Sequence, residues 1–321
     1  MFEISGIREG YPQLLDYVIK NGGEVFPRGK KTYELSPFHV KIKNPRDRIF
    51  FDHVRNMNVA FSIAEFLWIV TGREDVEMLE FYNRNMKNYS DDGIVMHGAY
   101  GKRLKDNYDQ FRLVLNNLMN DRESRQAVMT IFDAERDLLF KTKDVPCTVC
   151  FQFFIRENKL NMVTYMRSND IYYGFPNDIF NFTMIQEMFA RELRVEVGEY
   201  DHIAGSFHLY DSELHIVEDN NIENGECIEE IFSKNRNFVE FSDLNVISEY
   251  ESVIRLENDL DKKFDLVRSV EKDNIRDILV TLLNYDLLKR KDYRNVEKNL
   301  IIFDDCVYNC FMYRSLEKNA K

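Results

Sequence analysis

Glycine and proline are scarce in this 321-residue chain, 13 and 6 in all, whereas phenylalanine and tyrosine number 25 and 17. That balance is the reverse of a disordered or low-complexity composition. With 44% hydrophobic residues it predicts a globular protein with a substantial core. No run approaches the roughly 20 apolar residues that span a bilayer, so no membrane partner is expected. The start, MFEISGIREGYPQLLDYVIK, has no basic cluster ahead of a long apolar segment, which predicts a cytoplasmic location. Cysteines number only five, and without a secretion signal they are expected as free thiols rather than a disulfide framework. Basic residues are outnumbered, 43 Lys and Arg against 55 Asp and Glu, and a net charge of −12 argues against nucleic acid as a partner. A small phosphate ester, which needs only a few well-placed arginines, remains open.

Periodicity predicts a helix over Tyr11 to Lys20, followed by the loop NGGEVFPRGKKTYEL. With Gly22, Gly23, Pro27 and Gly29 the loop reads equally as a solvated turn or as an anion-binding loop in which Arg28 grips phosphate. NVAFSIAEFLWIVT (58–71) is helical, with Glu65 the single carboxylate in an apolar stretch. Either Glu65 faces solvent, or it lines a pocket where a raised pKa suits proton transfer. A polar helix is expected over about 75–88, and GAYGKR as a loop pressed against a ligand or another backbone. After a helix over Tyr108 to Asn120, RQAVMTIFD, CFQFFI and KLNMVTYMR alternate as strands, with RENK the turn of a hairpin. PNDIFNFTMIQEMFARELRV predicts a long, largely buried helix, and HIAGSFHLY another strand. This order indicates an α+β fold. Residues 1–220 form the expected catalytic domain, and 221–321, rich in charged residues and periodic Ile, Leu and Val, a helical region packed on it.

PCTVCFQFF (146–154) sets two cysteines three apart. A structural zinc site would need a second pair at similar spacing, and Cys227, Cys306 and Cys310 lie far away in helical contexts, so no metal is expected. On a strand Cys147 and Cys150 would face opposite sides, leaving one free to react while the other packs.

PCTVCFQFF, then YMRSNDIYYGFPNDIFNF, then GSFHLY resemble, in order and near spacing, the signature of the thymidylate synthase superfamily. AEFLWIVTG and AYGKR resemble its upstream Glu-x-x-Trp and Tyr-Gly segments, so the likeness covers about residues 20–215. The resemblance implies a mixed sheet flanked by helices and a homodimer. Cys147 becomes the nucleophile that adds to C6 of a pyrimidine, with Tyr100 beside it. Arg28, Arg125, Arg167 and Ser168 would hold the nucleotide phosphate, Arg167 also lowering the Cys147 pKa. His208 and Tyr210, two apart on a strand, would hold the sugar hydroxyl. Gln152 and Asp170 would complete the nucleotide site, and Asp178 would read the base. Glu65 would handle protons and water, and Glu65, Trp68, Asp170 and Gly174 would line the site of 5,10-methylenetetrahydrofolate. Read without the resemblance, Arg167 is a surface strand residue, His208 a satisfied strand histidine and Asp170 a turn acid.

Three departures carry information. Asp178 stands where the synthase has an asparagine that donates to uracil O4 and accepts from N3–H. A carboxyl group accepts from the cytosine amine and, with a proton on it or on N3, completes a second hydrogen bond, so Asp178 is expected to select cytosine; locally it also reads as a helix N-cap. The synthase's shielding tryptophan has no counterpart in NMKNYSDDG, the only tryptophan being Trp68, which would let water reach the exocyclic intermediate and give hydroxymethyl rather than methyl. The synthase's arginine pair, lent across the dimer, reads Arg125-Gln126, and Thr148 replaces the histidine after the cysteine. Together these resemble cytidylate (CMP or dCMP) 5-hydroxymethylases, and PRGKKTYEL with NPRDRI most resembles the CMP enzymes of nucleoside-antibiotic pathways. The alternatives are a C5-methylase and a catalytically inactive nucleotide-binding paralogue.

Overall fold

The computed structural model describes residues 1–49, 57–218, 239–306, 308–309, 311–313 and 316. Cys227, Cys310 and the expected domain boundary at 220 lie outside these residues. Strands β1 (Phe2–Ile4), β4 (Phe38–Ile42), β5 (Val128–Thr130), β6 (Thr148–Arg156), β7 (Lys159–Met166) and β9 (Glu196–Ala204) form a mixed sheet in the order β1-β4-β9-β7-β6-β5. A second sheet holds β2 (Gly23–Val25), β3 (Thr32–Leu35), β10 (Phe207–Tyr210) and β8 (Asn169–Asp170), in the order β2-β3-β10-β8.

Three neighbouring chain segments run through both sheets. β3 continues into β4 across Ser36-Pro37, β7 into β8 across Arg167-Ser168, and β9 into β10 across Gly205-Ser206. The resulting crease is stitched by Gly205 N–H to Met166 O (2.8 Å), Asn169 N–H to Ser206 O (2.7 Å) and the Ser36 hydroxyl to Gly205 O (2.5 Å). A Cβ on Gly205 would stand 3.0 Å from Arg167 O, so the close approach of these strands favours glycine there.

On the large sheet, α7 (Phe175–Glu192), where Pro176 sits in the first turn and most residues are buried, packs on β7 and β9, while α1 (Ile7–Asn21) packs on β3 and β10 of the small sheet and on β1. Against α7 lies α2 (Val59–Val70), capped by Asn58, whose side chain accepts from Phe61 N–H. Every residue of α2 except Glu65 is buried. α3 (Val76–Tyr82), α4 (Tyr100–Lys105), α5 (Gln110–Asn120) and α6 (Ala134–Leu138) complete the first part of the chain, with α8 (Asp211–Glu218) after β10. The helices α9 (Leu244–Leu256), α10 (Leu260–Arg268), α11 (Asp273–Lys289) and α12 (Tyr293–Ile302) form the helical C-terminal part, and α9 and α11 pack on α2. The tie is polar as well as apolar: Tyr82 Oη donates to Glu251 Oε1 (3.0 Å), Tyr285 Oη to Tyr82 O (2.6 Å) and Lys289 Nζ to Phe81 O (2.8 Å).

The α+β expectation holds, and several element boundaries are corrected. The polar helix over 75–88 breaks at Asn83, whose extended backbone (φ −149°) separates α3 from a 3-10 turn at Arg84–Asn88. RQAVMTIFD keeps only Val128–Thr130 as strand. HIAGSFHLY is two strands parted by the crease. GAYGKR opens α4 instead of a loop, but the expected backbone approach is real: a Cβ on Gly101 would meet Ile69 O at 2.4 Å. RENK is the expected hairpin, with Glu157 and Asn158 both at positive φ (50° and 58°), the signature of a type I′ turn. Among the described residues no helix is long and apolar enough to cross a membrane, and no His, Cys, Asp and Glu cluster could hold a metal.

Candidate active site

Cys147 sits one residue before β6, not on it, and the ladder with β7 shifts register between Thr148 and Cys150. Strict alternation therefore fails at this point, correcting the premise that set the two cysteines on opposite strand faces. Their surroundings nevertheless differ. Cys150 pairs with Thr130 and Tyr165 within the sheet, while Cys147 faces Arg167, whose Nη2 lies 3.7 Å from its sulfur. Arg167 stands in the crease and is clamped by three bonds: its N–H to Cys147 O (2.9 Å), Nε to Pro146 O (2.9 Å) and Nη2 to Val145 O (2.8 Å). The guanidinium is thus fixed by the chain that leads into the cysteine.

Burial pushes the Cys147 thiol up, Arg167 opposes, Asp178 and Asp144 add to the rise, and Arg28 pulls down. Arg167 acts in the expected direction, but burial outweighs it and the net direction is upward. Tyr100, at the start of α4, accepts from Thr148 N–H at 3.3 Å, and burial, with Cys147 and Asp178 next, holds its phenol well above the usual range. Its hydroxyl therefore stays protonated beside the sulfur. Arg28 occupies the tip between β2 and β3 at φ 51°, ψ 31°, exposed, with its charge felt at both Cys147 and Tyr210. His208 and Tyr210 share one side of β10, as expected, their rings 5.1 Å apart at 88°, and Lys30 Nζ lies 5.6 Å from the Tyr210 ring centre. Ser168 is half-buried in the crease.

Asp178 lies in the first turn of α7, but the N-cap is Gly174 and the Asp178 side chain caps nothing. Its Oδ2 accepts from Asn169 Nδ2 at 2.7 Å. Burial, then the charge of Glu65, hold its carboxyl well above the usual range. Asp170 Oδ1 accepts from the N–H groups of Tyr172 (2.7 Å) and Tyr173 (2.9 Å), fixing the turn into α7. Glu65 Oε2 accepts from Asn181 Nδ2 at 2.7 Å, and burial raises its carboxyl to about 7. One turn earlier Ser62 Oγ donates to Asn177 Oδ1 at 2.8 Å, so two polar ties hold α2 against α7 and aim Glu65. Gly174 has a positional reason as well: a Cβ there would stand 3.0 Å from Asn169 Nδ2 and 3.4 Å from Asp178 Oδ2.

Cys147, Arg167, Tyr100, Asp178, Glu65, Asp170, Arg28 and Tyr210 are thus joined by contact or by mutual electrostatic influence. Other candidates are placed differently. Trp68 is buried and spends its indole N–H on Asp75 O (2.9 Å). Gln152 donates to the backbone carbonyl of Arg125 (2.9 Å), at the β5 edge of the large sheet. Sequence reasoning missed Asn169, Asn181 and His202. The available signal was polar side chains inside apolar runs, Asn181 in IFNFTMI above all. In NMKNYSDDG, Tyr89 is exposed yet close enough for its hydroxyl to act on Tyr210.

A profile of the thymidylate synthase family matches residues 9–254. The chain is 34% identical over 301 residues to the deoxyuridylate hydroxymethyltransferase of Bacillus phage SP01, covering 85% of this chain and 76% of that one. It is 35% identical over 177 residues to the protein of the same name from Pseudomonas phage M6, and 32% over 203 residues to that from Delftia phage PhiW-14. It spans 50% and 54% of those two relatives. The relatives carry the name of a hydroxymethyltransferase, as expected, but of deoxyuridylate rather than cytidylate.

Proposed function

The chain belongs to the thymidylate synthase family, and on that premise we propose that it hydroxymethylates C5 of a pyrimidine nucleoside monophosphate, a cytosine nucleotide (CMP or dCMP) being preferred. The observation that carries this reading is Asp178, a half-buried carboxyl whose surroundings favour its protonated form, at the position that faces the base in the family. In its neutral form it accepts from the cytosine amine with one oxygen and donates to N3 with the other. Cys147 Sγ forms the bond to C6, which turns C5 into a carbon nucleophile that takes up the one-carbon unit; loss of the C5 proton and of the carrier nitrogen, with the sulfur still on C6, leaves an exocyclic methylene, water adds to its carbon, and the C6–S bond then breaks as the C5–C6 double bond returns. Tyr100 keeps a protonated hydroxyl beside these atoms, and Arg167 supplies a fixed positive charge. Arg28, Ser168 and a partner's Arg125 hold the phosphate, while His208 and Tyr210 hold the sugar. Glu65, titrating near about 7, is suited to receive and return protons at working pH and to orient the water that makes the hydroxymethyl group.

The residues on the α2–α7 side fit a folate: Asn181 Oδ1 is a buried acceptor with no protein partner beside the titratable Glu65. Glu65, Asp170 and Gly174 would hold 5,10-methylenetetrahydrofolate, which supplies the one-carbon unit when bound. The homodimer would form on the uncovered face of the large sheet, where Val128 and Tyr165 are exposed and Phe154, Val163 and Ile203 are half-buried.

A second reading, deoxyuridylate as substrate, is favoured by the names of the phage relatives. A neutral Asp178 can also donate to O4 and accept from N3–H. The deciding assay incubates the protein with methylenetetrahydrofolate and separately with CMP, dCMP and dUMP, and follows product mass and dihydrofolate absorbance. A hydroxymethylated cytosine nucleotide without dihydrofolate is expected. A methyl product accompanied by dihydrofolate, or equal turnover by Cys147→Ser, would overturn the proposal.

A further inference from the structure

Behind Asp178 runs a buried hydrogen-bonded chain that the reaction does not itself require. Tyr200 Oη lies 3.0 Å from His202 Nδ1, His202 Nε2 lies 2.9 Å from Asn169 Oδ1, and Asn169 Nδ2 donates to Asp178 Oδ2 at 2.7 Å. Tyr200, His202 and Asn169 are all buried. Burial drives His202 down to about 3, so the ring is neutral and carries one proton. With Nδ1 taking the tyrosine hydroxyl, that proton sits on Nε2 and points at Asn169 Oδ1. The amide is thereby fixed with its NH₂ toward Asp178. Its backbone is fixed too, through Asn169 N–H to Ser206 O. Oδ2 of Asp178 is therefore held as an acceptor, and Oδ1 has no protein partner among the described residues.

We infer that Asn169, held by His202 and Tyr200, is a specificity-determining positioning residue that confines the proton of Asp178 to Oδ1 and so decides which pyrimidine edge Asp178 accepts. Cytosine and uracil present opposite donor and acceptor orders at N3 and the 4-position. A carboxyl whose proton is free to sit on either oxygen serves both; one with a fixed donor and a fixed acceptor serves one. The inference rests on the reading of Asp178 as the residue that faces the base.

The test compares kcat/KM for cytosine and uracil monophosphates in the intact protein and in Asn169→Ala, His202→Phe and Asp178→Asn. His202→Phe keeps an aromatic ring against Phe175, 5.1 Å away, and Phe207, 6.4 Å away, while deleting both ring nitrogens; it carries the test alone if Asn169→Ala does not fold. The ratio of the two specificity constants is expected to move about tenfold or more toward unity in both variants. If the relay variants lose activity equally on both bases while Asp178→Asn changes the ratio, the inference fails and the base reading stands. If Asp178→Asn leaves the ratio unchanged, the base reading itself fails.

Discussion

Glu65 is half-buried, the one residue of α2 short of full burial, and desolvation holds its carboxyl at about 7, above the ordinary carboxylate range. The folded protein thus holds this proton at pH values where the unfolded chain has released it. Stability therefore falls as pH rises from about 4.3, the unfolded value, through about 7. Glu65→Gln removes the proton exchange, so its advantage over the wild type in denaturant unfolding should grow from pH 5 to pH 8, by on the order of 2 kcal/mol. Turnover should fall at the same time, because the amide accepts no proton. An unchanged pH difference would show that Glu65 ionises freely. At this scale the motifs were informative about which residues are neighbours: Cys147, Arg167, Tyr100 and Asp178 do meet. It was silent on Asn169 and His202, because a hydrogen bond between residues 33 positions apart leaves no local pattern.

Elements were legible where one periodicity ran uninterrupted. α7 and the hairpin of β6 and β7 were readable because a long apolar helical run opened by proline and a two-residue turn are local properties. β9 and β10 were not separable, since the crease between them is imposed by neighbouring strands and not by HIAGSFHLY itself. Nor did the spacing of Cys147 and Cys150 reveal the register shift, which is a property of two strands together. The hairpin turn also carries a prediction. Glu157 and Asn158 both adopt positive φ, which costs a side-chain-bearing residue on the order of 1 kcal/mol. Replacing them together, Glu157→Asn with Asn158→Gly, gives the pair favoured in type I′ turns and should raise stability by about 1 kcal/mol with activity unchanged, as read by the denaturant midpoint.

For the whole molecule, the C-terminal helices are proposed as a second unit whose role is to brace α2 and hence Glu65. The bracing contact is testable at Glu251, which is buried, accepts from Tyr82 Oη (3.0 Å) and pairs with buried Arg255 (2.9 Å). Glu251→Ala leaves the Tyr82 phenol without its acceptor and Arg255 with Glu77 as its remaining carboxylate (2.8 Å), and should destabilise the protein by on the order of 2 kcal/mol in denaturant unfolding; a loss well under 1 kcal/mol would mean that this contact braces nothing. The net charge and the uncovered sheet face were apparent only from the whole chain and the whole sheet respectively. The crease has a consequence in time as well as in space. During synthesis Cys147 leaves the ribosome well before β9 and β10, yet the segment that aligns Arg167 against it is stitched to Gly205 and Ser206. The newborn chain thus carries Arg167 next to Cys147 without the strands that set both in the crease, and the proposed nucleophile reaches its folded surroundings only when β10 is threaded beside β8.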